Sequence, residues 1–141
     1  MATNEFRPIG WDDPLVKDVS YDCGSASVRS AYAYIRAVAF RNRRWLCEAL
    51  GSVGYYFGYF GRSHFRLVEI AVRSAEQGKG HGAALMKRLV ARCRAEGVGR
   101  ITLRCSIEEG NWPFYVLQGF CIVGEKAGDY EMELKLEDYL G

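Results

Sequence analysis

Histidine is scarce in this chain of 141 residues: there are two, His64 and His81. The five cysteines, Cys23, Cys47, Cys93, Cys105 and Cys121, are scattered, with no C-x-x-C spacing and no histidine beside them. That argues against a zinc site, and no metal is expected. Free, buried thiols in a reducing compartment are the expectation instead. An excess of charge of one sign is also lacking. The formal net charge is +2, too mild to argue for nucleic acid by itself. No apolar run reaches the length of a membrane span, and no signal peptide opens at Met1. A cytoplasmic protein with no membrane partner is therefore expected. Repeats, low-complexity stretches and linkers are absent too, so residues 1–141 are expected to form one domain.

What is present supports a packed core: 49% of residues are hydrophobic and 13% aromatic. The stretch from His64 to Gly97 is the most informative. Leu67, Val68, Ile70 and Val72 read as a strand. Ala84, Leu85, Leu89, Val90 and Cys93 recur at helical spacing, and Gly97 follows as a stop. Before this stretch, Phe6 to Ile9 suggests a short strand and Leu15, Val16 and Val19 a short helix. A longer helix is expected from about Ala26 to Arg41, then strands at Trp45 to Leu50 and Val53 to Phe60. Gly54 and Gly58 interrupt the second of these, which suggests bulges or close backbone approach. The aromatic run Tyr55, Tyr56, Phe57, Tyr59, Phe60 reads as core rather than as a partner surface. After Gly97 come a strand at Ile101 to Ser106, a short helix opened by Pro113, and strands at Phe120 to Glu125 and Tyr130 to Leu136. The fold class is α+β, with one twisted mixed sheet of about six or seven strands flanked by helices. The order is strand, two helices, three strands, helix, strand, helix, two strands.

Arginines cluster at Arg36, Arg41, Arg43 and Arg44, and again at Arg88, Arg92, Arg94, Arg100 and Arg104. Both clusters read as solvated helix faces.

Between the central strand and its helix stand Gln77 and three alternating glycines, Gly78, Gly80 and Gly82, with Lys79 and His81 between them. A helix N-terminus has free N–H groups and partial positive charge, and glycines let a phosphate come close to the backbone. The junction reads as an anion cradle, although a tight turn without a ligand would use glycines as well. The Gly-Lys-Ser/Thr end of the P-loop is missing. The third glycine also comes too early for the dinucleotide fingerprint.

Gln77-Gly78-Lys79-Gly80-His81-Gly82 does match the Gln/Arg-x-x-Gly-x-Gly/Ala signature, and the chain resembles the GNAT N-acetyltransferase superfamily. The spacing of Leu67, Ile70 and Val72 is similar to that family's bulged strand. The resemblance implies acetyl-CoA as co-substrate and a small-molecule or peptide amine as acceptor. It places the diphosphate on Gln77, Gly78, Lys79, Gly80, His81, Gly82 and Ala83. Ile70, Ala71 and Val72 would hold the pantetheine arm and supply N–H groups for the oxyanion. Phe114-Tyr115-Val116-Leu117-Gln118-Gly119-Phe120 is similar to the family's Tyr-x-x-x-Gly-Phe segment, which implies that Tyr115 protonates the leaving sulfur. Where the family usually has an asparagine before that tyrosine the chain has Glu108, with Asn111 following as a pantetheine contact. Glu69, the acid on the central strand, is the candidate base, in competition with a plain ion pair to Arg66 or Arg104. Glu108 and Glu109 are rivals, with His64 and His81 behind them. Tyr21-Asp22-Cys23-Gly24 and Val53-Gly54-Tyr55-Tyr56 are faintly similar to tRNA-acetylating toxins of the superfamily. That keeps tRNA open as an acceptor beside an acetyl-CoA-binding module without turnover. A homodimer is left open.

Overall fold

A computed structural model describes residues 5–10, 13–22 and 44–140. Seven strands form one sheet in the order β1-β2-β3-β4-β5-β7-β6. They are β1 (Phe6–Pro8), β2 (Arg44–Leu50), β3 (Gly54–Phe60), β4 (His64–Val72), β5 (Arg100–Ser106), β6 (Cys121–Lys126) and β7 (Asp129–Lys135). The described helices are α1 (Pro14–Asp22), α2 (His81–Ala95) and α3 (Trp112–Leu117). This is the expected mixed α+β architecture. The helix expected from Ala26 to Arg41 lies outside the described residues.

Strand pairing is antiparallel throughout, except between β4 and β5, which run parallel. Their ladder is short: His64 faces Arg100, Phe65 faces Ile101, Arg66 faces Thr102, and there it stops. The remaining two-thirds of β4 leans on β3 alone, and the sheet opens beyond Arg66.

The opening coincides with a bulge. Phe57 pairs with Glu69 but the next residue, Gly58, pairs with Leu67, so Val68 is the extra residue. One added residue reverses the inward-outward alternation of everything after it. Phe65 and Leu67 before it, and Ile70 and Val72 after it, therefore pack on the same core. This is the physical basis of the broken spacing in the sequence. Gly58 sits at the fault because a Cβ there would lie 2.2 Å from the Arg66 carbonyl oxygen and 2.5 Å from the Phe65 ring.

One core lies under α2 and α3 and holds Leu85, Met86, Leu89 and Val90 against Phe65, Leu67, Ile101 and Leu103. The other lies under α1, where Leu15, Val16 and Val19 meet Cys47, Tyr55 and Phe57. The aromatic run is therefore core, as expected: Tyr55, Tyr56 and Phe57 are all buried. Helix α1 starts at Asp13, whose carboxylate accepts the Leu15 N–H at 2.9 Å and caps the first turn. Its far end is tied to the turn after β4, where Ser74 N–H donates to Asp22 at 2.7 Å. Helix α2 stops at Gly97 (φ +77). Val98 N–H then bonds the Cys93 carbonyl at 3.0 Å and Gly97 N–H the Arg94 carbonyl at 3.1 Å, a Schellman closure.

Two expectations are corrected here. Cys121 is exposed on edge strand β6, while Cys47 and Cys93 are buried as expected. Arg88 and Arg92 are not a solvated face. Both reach Glu48 on β2, which is only 1% exposed. Arg88 binds it with Nε at 3.0 Å and Nη2 at 3.1 Å, Arg92 with Nη1 at 3.1 Å, and the Tyr56 hydroxyl also donates to it. Burial alone would raise the Glu48 carboxyl, but the bonds from Arg88 and then Tyr56 hold it below the usual carboxylate value. Arg44, from the other cluster, pairs with Glu96. Arg36, Arg41 and Arg43 lie outside the described residues.

Candidate active site

Where β4 parts from β5, a cleft of about 590 Å³ opens between the end of β4, the start of α2 and α3. Of the residues singled out in the sequence it is lined by Glu69, Ile70, Ala71, Val72, Gln77, Gly78, Gly80, His81, Gly82, Ala83, Asn111 and Tyr115. Lys79 is the exception: it lies outside the cleft with Nζ 3.5 Å from Glu76. Two lining residues were missed, Glu76 and Phe114.

The turn into α2 is built for open amides. The N–H groups of Gly78 through Ala83 make no backbone hydrogen bond to a described residue, and the first helical bond is from Ala84 to the Gly80 carbonyl at 3.1 Å. The Gln77 amide is not part of this row, because it leans on the Ser74 carbonyl at 3.4 Å. The Gln77 side chain instead donates to the Val72 carbonyl at 3.0 Å, which closes the loop onto the strand. The glycines serve two different ends. Gly78 (φ +80) and Gly80 (φ +85) adopt left-handed backbone with open space where a Cβ would sit, a conformation that favours glycine. Gly82 admits the Phe114 ring, which would lie 3.1 Å from an added Cβ. Its small size thus seats α3 against the start of α2. Glu76 is an acid beside an anion cradle, and it is held by His81 Nε2 at 3.4 Å as well as by Lys79. The Lys79 contact is a local i,i+3 pair, whereas the His81 contact forms only when the turn folds back on itself.

A second cavity of about 220 Å³ lies across the opening, lined by Val68, Glu69, Arg104, Cys105, Ser106, Asn111, Tyr115 and Asp129. Glu69, Asn111 and Tyr115 line both cavities, so the two meet at these side chains. Glu69 is not in the ion pair that Arg66 or Arg104 would have offered. Arg66 forks onto Glu131, with Nη2 at 3.0 Å from Oε1, and Arg104 Nε lies 2.9 Å from Asp129. Among the described residues the Glu69 carboxylate accepts only its neighbour's N–H, from Ile70 at 3.0 Å. Desolvation by burial, against that one bond, pushes its carboxyl up to about 8. Tyr115 is 8% exposed, wedged between the rings of Phe114 and Phe120. Its hydroxyl is raised by burial and then by the nearby Glu69, so it stays protonated at neutral pH. The rivals divide: His81 lines the large cleft and the charge of Glu109 adds to the rise at Glu69. Glu108, Glu109 and His64 line neither cavity, and His64 opens β4 opposite Arg100. Asn111 precedes α3, and Pro113 takes the helix's first turn.

Among the described residues no group of three His, Cys, Asp or Glu side chains is placed to hold a metal ion, and no helix is long and apolar enough to cross a membrane. A search of curated proteins finds no match to the chain. Solved structures similar to it include the PaiA N-acetyltransferase of Thermoplasma acidophilum in complex with coenzyme A. That chain is 17% identical, with a TM-score of 0.73, covering 93% of this chain and 98% of that one. A ribosomal-protein-alanine N-acetyltransferase of Escherichia coli is 17% identical with a TM-score of 0.72, covering 94% and 93%. An aminoglycoside 6'-acetyltransferase type Ii is 19% identical with a TM-score of 0.69, covering 94% and 97%. At such identities the likeness is one of fold. The sequence itself carries the assignment further, because residues 4–120 match the Acetyltransferase (GNAT) family. With most of its length under that match and the opened sheet to go with it, this chain belongs to the GNAT acetyltransferase family.

Proposed function

We propose that the protein is an acetyl-CoA-dependent N-acetyltransferase that brings acetyl donor and amine acceptor together in one ternary complex. The observation that carries this reading is the run of open amides from Gly78 to Ala83, continuous through the large cleft with Glu69 and Tyr115. A helix mouth with unpaired N–H groups suits a diphosphate. The strand from Ile70 to Val72, no longer laddered to β5, offers backbone groups to an extended pantetheine arm. Bound acetyl-CoA would supply the activated acetyl thioester.

The chain's own groups then have distinct tasks. Glu69, short of partners and desolvated, accepts a proton from the acceptor's ammonium, directly or through water, so that the neutral amine can attack. Backbone N–H groups beyond the bulge stabilise the oxygen that gains charge during attack. Tyr115 gives its proton to the departing sulfur. The second cavity, which meets the first at these residues, receives the acceptor. The four described cysteines are all free, which accords with a reducing compartment such as the cytoplasm. A tRNA acceptor is the alternative; Arg36, Arg41 and Arg43, the basic residues that would suit it, lie outside the described residues.

Calorimetric titration with acetyl-CoA, followed by mass spectrometry of a broad amine panel, tests the reading. Binding and an N-acetylated product are expected. Tyr115→Phe is expected to lower kcat by about a hundredfold with acetyl-CoA affinity kept. Binding without any product in the parent protein would leave a coenzyme-binding module instead.

A further inference from the structure

The second cavity has a feature that the transfer chemistry does not use: an arginine with unspent hydrogen-bonding capacity in its wall. Three arginines, Arg66, Arg100 and Arg104, line up on one face of β4 and β5 and lean toward the acids of β7. Arg66 spends its fork on Glu131, and Arg100 binds Glu133 at 2.6 Å. Neither lines either of the two cavities. Arg104 differs. Only its Nε is held closely, by Asp129 at 2.9 Å, while Nη2 meets the Lys126 carbonyl at a long 3.4 Å. Nη1 has no partner among the described residues, and the side chain is 47% exposed. The β6–β7 hairpin thus tethers the guanidinium at its inner edge and leaves its outer edge for something else.

The register says where that edge sits. The last pair of the parallel ladder is Arg66 with Thr102. Two residues further on, Arg104 comes abreast of Val68, next to Glu69, across a gap that has widened past the usual strand spacing of about 4.8 Å. Cation and acid therefore stand on opposite walls of one cavity of about 220 Å³, the size of a small molecule rather than of a folded partner.

We infer that the acceptor carries a carboxylate beside its amine, as a free α-amino acid does, and that Arg104 binds this carboxylate while the amine faces Glu69. The inference rests on the transferase reading above. A guanidinium edge matches a carboxylate in two parallel hydrogen bonds. Asp129, already neutralised by Arg104, offers no second free anion, which disfavours a diamine. A peptide N-terminus has no α-carboxylate beside its amine to give to Arg104. In the reaction the amine nitrogen bonds to the acetyl carbon and the carbon–sulfur bond breaks. Glu69 takes the amine proton and Tyr115 protonates the sulfur, so the products are an N-acetylamino acid and coenzyme A.

The test offers the protein each of the twenty amino acids paired with its own C-terminal amide, with acetyl-CoA as donor and product read by mass spectrometry. At least one acid is expected to exceed its amide in kcat/KM by about tenfold or more, the usual worth of a charged hydrogen-bond pair. Arg104→Met is expected to bring that ratio to about one, mainly through KM, and Arg104→Lys to leave an intermediate ratio. Acetyl-CoA titration of each variant establishes that it is folded. Amides accepted as well as acids, a ratio untouched by Arg104→Met, or acetyl-CoA binding with no amino acid acetylated would each overturn the inference. A parent protein that does not bind acetyl-CoA at all would remove the transferase reading, and this inference with it.

Discussion

Glu48 and Glu69 are both carboxylates set into the same sheet, and they behave in opposite ways. Glu48, in the closed half between β2 and β3, has four hydrogen bonds from Arg88, Arg92 and Tyr56 and is held ionised. Glu69, at the edge of the opening, has one backbone N–H and is pushed toward its neutral form. Burial raises both. The number and charge of partners decides the outcome. A saturated acid is a fastener between strand and helix, whereas an acid left short of partners remains free to exchange a proton.

The contrast breaks most sharply at Glu69. Glu69→Gln is expected to lower kcat by about a hundred- to ten-thousandfold in a steady-state assay, with the unfolding midpoint unchanged or raised. Glu48→Gln should do the reverse. It strands two arginines and is expected to cost about 3 kcal/mol in denaturant titration, with the chemical step retained at temperatures where the fold holds. A loss of catalysis from Glu48→Gln in fully folded protein would erase the distinction. Acid and base sharpen it next. Because the Glu48 carboxyl is lowered, its stabilisation is present above the unfolded value of about 4.3 and fades as pH falls through the folded value. The parent should thus lose stability below about pH 4, and Glu48→Gln should show a shallower loss. Because the Glu69 carboxyl is raised to about 8, kcat/KM should climb through that pH, and Glu69→Gln should flatten the limb. Above about pH 4.3 the native state resists ionising Glu69, so the stability of Glu69→Gln relative to the parent should rise as pH goes from about 4.3 toward 8. The smallest effect is at Arg92, which gives Glu48 one bond where Arg88 gives two. Arg92→Met is expected to cost about 1–2 kcal/mol.

Much of this arrangement is legible in the residues alone. Leu67, Ile70 and Val72 betray the bulge, because only an inserted residue lets all three face one core. Gly97 marks the end of α2, and the glycine turn with the Tyr115 segment points to the cleft. What escapes is the part made by partners distant in sequence. Glu48 alternates with Leu46 and Leu50, both on the α2 core, and that alternation does signal an inward acid. Nothing local says that Arg88 and Arg92, 40 and 44 residues away, will meet it. A helix face carrying arginines looks the same whether water or a buried carboxylate receives them. The Lys79 side chain departs for a local reason: it pairs at 3.5 Å with Glu76, three residues earlier, while its backbone amide stays in the open row. The two roles of the glycines are equally hidden, since Gly82 is small for the sake of Phe114, a residue from another helix.

The three-rung ladder between β4 and β5 has a mechanical meaning. Cut there, the sheet falls into a four-strand leaf and a three-strand leaf, and among the described residues no other strand pairing crosses the seam. What joins the leaves beyond those three rungs is side-chain packing: Leu85, Met86 and Leu89 of α2 share one core with Phe65 and Leu67 on one leaf and Ile101 and Leu103 on the other. The seam therefore leaves backbone groups of β4 free on one side without cutting the apolar core in two.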